Sequence, residues 1–195
     1  MLPGKSSKQY LLAPGISVAH YEQLRKIANR TALAHIVRRR FEARFIEPVL
    51  DNGRVRGGFA ALALCCLAIQ ALQAFRTGEA CSNTLAAIKN FIRDNKEFSS
   101  LRRHELAFYN NIRNGLHHQA QTRGGWRINI SGPVFNPNSL SIGAQKFVDG
   151  FVAALARYCS ELEQTDDESG LWRNFLKKMN DVIDSCDNEP GGPNK

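Results

Sequence analysis

The chain has 195 residues, 43% of them apolar and 23% charged, which excludes wholesale disorder, collagen-like repeats and low-complexity architecture. That length suffices for one domain that buries ~70% of its unfolded surface without disulfide staples. Lys and Arg total 26 against 18 Asp and Glu, a net charge of +8. The excess is uneven, because residues 1–127 carry 20 basic and 8 acidic side chains and residues 128–195 carry 6 and 10. Such asymmetry marks either a solvated basic surface or the electrostatic footprint of a phosphate polymer.

In chain order, residues 1–16 read as a flexible polar leader. Ser17 is a plausible N-cap for a long helix to about Phe45, with Leu24, Ile27, Ala28, Leu33, Val37, Phe41 and Phe45 at three- and four-residue steps. Its other side carries Arg38, Arg39, Arg40 and Arg44. Pro48 and the breakers in DNGRVRGG end it. From Phe59 the run FAALALCCLAI is uninterrupted, but Gln70 and Gln73 follow and the whole falls short of a span of ~20 residues. A buried central helix closing at Gly78 is expected, and no membrane association. Ser82 is a candidate cap for a third helix, with Leu85, Ile88, Phe91 and Ile92 as its stripe. A fourth spans about Arg102–Leu116. Gly124-Gly125, Ser131-Gly132-Pro133 and Asn136-Pro137 then punctuate the alternating run Trp126–Ile130, which suits a small β-hairpin or loop insertion around 124–137. Two closing helices follow, on Phe147, Phe151, Leu155 and Leu162 and on Leu171, Trp172, Phe175, Met179 and Ile183. Residues 187–195 read as a disordered tail. The expected fold is mainly α: a helical bundle of about six helices, with residues 17–186 as a single domain.

Cys65, Cys66, Cys81, Cys159 and Cys186 are odd in number and lack CxxC or Cys/His spacing, so neither a disulfide framework nor a zinc site is expected. The first residues lack the apolar core of a signal peptide, and a reducing cytoplasm is the expected location.

One segment gathers histidines and basic side chains: RRHELAFYNNIRNGLHHQAQTR, with His104, His117 and His118. Four readings compete. A metal site fits poorly, since His104 and His117 lie almost 20 Å apart along a helix at ~1.5 Å per residue, and adjacent His117 and His118 diverge. A Cys–His nucleophile has no cysteine near it in sequence. Acid–base cleavage of a phosphodiester suits histidine as proton carrier and arginine as a fork of donors for phosphate oxygens. The fourth reading is structural, with basic side chains complementing a helix C-terminus. Physics alone leaves the last two level.

Arg113-Asn114-x-x-x-His118 matches the RNxxxH form of the Arg-x4–6-His motif and resembles the motif helix of HEPN domains (higher eukaryotes and prokaryotes nucleotide-binding). Phe108-Tyr109 before it, Ile112-Arg113 within it and Gln119-Ala120 after it are similar in context. A looser likeness covers 59–185, through Phe75-Arg76-x-Gly78, the aromatic third helix and Gly-Gly-Trp. The resemblance implies a helical, metal-independent endoribonuclease without cofactor that cuts RNA by 2′-OH attack, as a homodimer with its motifs facing. By carry-over Arg113 and His118 are the catalytic pair and Asn114 orients His118 or the phosphate, with His117 and Tyr109 secondary. In an unbroken helix His117 shares a face with Arg113 and His118 is rotated by about 140°. Either Gly115 relaxes the helix or His118 meets Arg113 of a second chain. Arg38, Arg39, Arg40, Arg44, Arg123 and Arg127 are the candidate RNA-binding residues. A toxin–antitoxin or defence setting, with an antitoxin or regulatory protein as partner, is implied by the resemblance alone. The alternative is a noncatalytic HEPN-like module that binds RNA, a nucleotide or a protein.

Overall fold

The computed structural model describes residues 10–79 and 83–187. Its elements are eight α-helices joined by short turns and three two-stranded pairs. The expected mainly α bundle is what the chain forms. Cys81, Ser82, residues 1–9 and 188–195 lie outside the described residues.

The expected leader joins the fold from Tyr10 on. Strand β1 (Leu11–Ala13) pairs antiparallel with β2 (Ile16–Ser17), and Leu12 is fully buried. The long first helix is in fact two. Ser17 caps α1 (Val18–Lys26) by accepting from the N–H of His20. The chain then turns at Ala28, with φ +48°, and Asn29 caps α2 (Arg30–Phe41) by accepting from the N–H of Ala32. Ile27, expected on the buried stripe, is largely exposed there. A π turn (Glu42–Ile46) and a 3-10 turn (Glu47–Val49) follow, then the hairpin β3 (Leu50–Asp51) and β4 (Arg54–Val55).

Helix α3 (Gly58–Thr77) is the axis of the bundle. It is long and apolar enough to cross a membrane by length and composition, but most of its apolar window is buried inside the protein. It packs against α7, α8, α4 and the motif helix. Gly78 ends it in the left-handed region at φ +70°, where a side chain is strained. Helix α4 (Thr84–Asp94) is capped by Asn83, whose Oδ1 accepts from the N–H groups of Leu85 and Ala86.

After a 3-10 turn (Lys96–Leu101) comes one helical stretch in three parts: α5 (Glu105–Phe108), a π turn (Tyr109–Arg113) and α6 (Asn114–Gln119). The insertion contains β5 (Arg127–Asn129) and β6 (Ser141–Gly143), which pair in parallel. Of the expected hairpin or loop, the chain forms a loop between two parallel strands. The chain between them loops back through Pro133 and Asn136, so both strands run the same way. Helices α7 (Ala144–Gln164) and α8 (Gly170–Asp187) close the bundle.

A continuous chain of rings fills the core, from Phe175 and Phe75 through Phe41, Phe151, Phe91, Phe98, Phe147 and Phe108 to Trp126 and Phe135, at centroid separations of 4.8–6.5 Å. Each buried side chain of this size contributes ~1.5–3 kcal/mol. Phe108 stacks on Phe147 of α7, which anchors the motif helix to the core.

Candidate active site

The motif lies where the π turn passes into α6. A π turn inserts one residue into the helical register and is often found at functional sites. Here it carries Tyr109 and ends on Arg113. Ile112 is fully buried and pins this turn against the core, while Arg113 and Asn114 are half-buried and His117 and His118 exposed. Arg113 Nη1 donates to Asn114 Oδ1 at 3.0 Å, and its guanidinium lies 5.9 Å from the Tyr109 ring centroid. Asn114 thus positions Arg113 within the chain.

Arg113, Leu116 and His117 form one wall of a surface depression of about 50 Å³; Cys66, Leu67 and Gln70 of α3 form part of the other. The structure therefore brings Arg113 together with His117. His118 is not among the residues lining that depression, and its ring meets the His117 ring edge-on at 4.7 Å. Gly115 keeps helical geometry and does not relax the helix. Its role is close packing, because a Cβ there would lie 2.4 Å from the Gln121 carbonyl oxygen. The chain turns back at Ala120, φ +52°, and Arg123 donates its N–H to the Asn111 carbonyl and its Nε to Gln119 Oε1. Arg123 and Arg127 are exposed just beyond the motif. His104 stands apart, its ring 5.0 Å from Phe135.

Cys66 and Gln70 were missed by sequence reasoning, since only the packing of α3 on the motif helix brings them here. Burial pushes the Cys66 thiol up to about 12, with Arg113 pulling weakly the other way. It is therefore a thiol at neutral pH and serves as wall, not nucleophile. Among the described residues no group of three or more His, Cys, Asp or Glu side chains converges as metal ligands would.

The basic side chains of α2 have other partners. Arg39 bonds Glu42 and Glu47 at 2.8 Å, Arg38 pairs with Glu42 at 3.5 Å, and Arg40 donates to the Leu12 carbonyl at 2.7 Å. Arg44 is exposed. Helix α2 packs chiefly on α7, and the motif helix on α3 and α4.

One further surface adjoins the motif. Phe59 and Leu67, eight residues apart on one face of α3, are exposed, Leu67 lines the Arg113 depression, and α3 carries no charged residue before Arg76. An uncharged apolar strip thus runs beside Arg113 and His117.

Comparison with protein-family models, with curated proteins and with solved structures gives no match.

Proposed function

We propose that the chain is a metal-independent endoribonuclease of HEPN type, acting as a homodimer. The observation that carries this is Arg113, held by Asn114 at the edge of a surface depression, with two exposed histidines on the helical turn that follows and an uncovered apolar strip beside it. Arg113 presents a fork of donors to the scissile phosphate and stabilises the charge of the pentavalent transition state. His118 transfers the proton between the 2′-OH and the departing 5′-oxygen, a task suited to imidazole near neutral pH. The bond from the 2′-oxygen to phosphorus forms as the bond to the 5′-oxygen breaks, leaving a 2′,3′-cyclic phosphate and a 5′-hydroxyl. Within one chain His118 is outside the Arg113 depression, so a second copy, docked on the α3 strip across a two-fold axis, supplies the His118 that faces Arg113. Arg123 and Arg127 hold the flanking phosphates.

The test is incubation of the purified protein with single-stranded RNA in EDTA. Wild type is expected to yield cyclic-phosphate products, and Arg113→Ala and His118→Ala to lose ~10²–10⁴-fold in rate with unchanged thermal stability. His117→Ala is expected to lose less. Activity that needs added metal, or variants that cut as well as wild type, would overturn the mechanism. Salt-dependent RNA binding without products would favour a noncatalytic module.

A further inference from the structure

A second cleft lies at the C-terminal end of α3, outside the motif. Gln73 and Thr77 of α3 line it one turn apart; Asn83, Ala87 and Asn90, spaced to share one side of α4, line it opposite, together with Glu79. It encloses about 120 Å³. That volume takes roughly four waters at ~30 Å³ each, or one heteroaromatic ring. Gln73 is only 5% exposed. Its main-chain carbonyl accepts from Thr77 Oγ1 at 3.1 Å, yet among the described residues no protein group bonds its side-chain amide. As part of the cleft lining, this amide is open to bond whatever occupies it. Asn83 spends its Oδ1 on the α4 cap, which leaves its NH2 as a donor.

We propose that this cleft holds one nucleobase of single-stranded RNA, read through the exocyclic amine of adenine, guanine or cytosine. The identity of the polymer rests on the ribonuclease reading above. The amide carbonyls of Gln73 and Asn90 and the Glu79 carboxylate accept N–H groups, and the amide NH2 groups donate to ring nitrogens and carbonyls, the pairing that reads base edges. Glu79 is the sole ionisable group among the described lining residues, so the cleft suits a neutral ring rather than a phosphate. It is also next to the motif. Gln70 lines the Arg113 depression and accepts from Thr84 Oγ1, beside Asn83, and Cys66 and Gln73 are about 10 Å apart along α3 at ~1.5 Å per residue. A base in the cleft therefore sits a short stretch of backbone from a phosphate at Arg113, and the cleft sets the sequence preference of cutting.

Titration of the full chain with adenosine, guanosine, cytidine and uridine, followed by the side-chain amide resonances in NMR, tests this. At least one amine-bearing nucleoside is expected to bind with a dissociation constant in the millimolar range or tighter. Uridine should bind about tenfold more weakly, and Gln73→Leu and Asn90→Ala should each lose about tenfold. Asn90 is exposed, so its variant keeps the fold. No saturable binding of any nucleoside, or binding unchanged in both variants, would overturn the proposal. Cleavage of a randomised RNA separates the two ideas. Nucleoside binding through Gln73 and Asn90 by a protein that leaves RNA uncut removes the ribonuclease and keeps the cleft; cutting with the same sequence preference in both variants removes the cleft and keeps the ribonuclease.

Discussion

Gly115 shows how a single position fixes the candidate site. Its Cα lies so close to the returning chain that a Cβ would meet the Gln121 carbonyl oxygen at 2.4 Å and the Thr122 Cα at 3.4 Å, both backbone atoms with little freedom to yield. Gly115→Ala is therefore expected to cost ~1–3 kcal/mol in urea unfolding, with helix content retained, and a variant as stable as wild type would contradict the close approach. The same crowding holds Arg123 near the motif, through the bond from its N–H to Asn111. The pattern Arg113-Asn114-x-x-x-His118 was legible in the sequence as a candidate, because the chemistry of arginine and histidine is carried by residue type and spacing. The walls opposite were not, because Cys66 and Gln70 come from another helix and carry no local signal. Nor did spacing separate His117 from His118; both are exposed, and the structure places only His117 in the lining of the Arg113 depression.

At the scale of elements, sequence periodicity placed helices wherever a glycine or a clear apolar stripe marked them. The stop of α3 at Gly78 was legible because only glycine takes φ +70° without strain. The break between α1 and α2 was not, since Ala28 takes a left-handed conformation with neither glycine nor proline to announce it. The π turns at Glu42–Ile46 and Tyr109–Arg113 are one-residue insertions in helices whose composition is unchanged by them. The parallel run of β5 and β6 was hidden too, because strand direction depends on the path of the intervening loop. Helix α7 is tied to the turn before α5 by Arg157, which donates from Nη1 and Nη2 to Glu97 at 2.7 Å and from Nη2 to Asn95 Oδ1 at 2.8 Å. Those bonds from Arg157 hold the Glu97 carboxyl below the usual carboxylate range. A carboxylate lowered in the folded state contributes stability above its unfolded pKa and loses it as pH falls through the folded value. Wild type should exceed Glu97→Gln by ~1 kcal/mol at pH 7, a figure kept small because Arg157 is partly exposed and screened. The gap should narrow as pH falls below the ordinary carboxylate range of about 4, and an equal gap in chemical unfolding at pH 7 and pH 3 would contradict the assignment.

For the whole molecule, the basic first two thirds and acidic last third carry a different meaning once folded. Much of the positive charge on α2 is spent on Glu42, Glu47 and the Leu12 carbonyl, so local ion pairing accounts for charge that composition alone suggested for RNA. What remains beside the motif is Arg113 with Arg123 and Arg127, next to an apolar strip on α3 that a second copy would cover. The account centres on a site shared between two copies, with Arg113 from one and His118 from the other. Mixing inactive Arg113→Ala and His118→Ala chains under exchange conditions, with RNA and EDTA, measures this directly. Half of the dimers in an equimolar mixture are then mixed, and each has one intact site. The account predicts that about a quarter of wild-type cleavage returns under the statistics of a two-fold dimer; a mixture as inactive as its components, or a wild type that leaves RNA whole in EDTA, would contradict it.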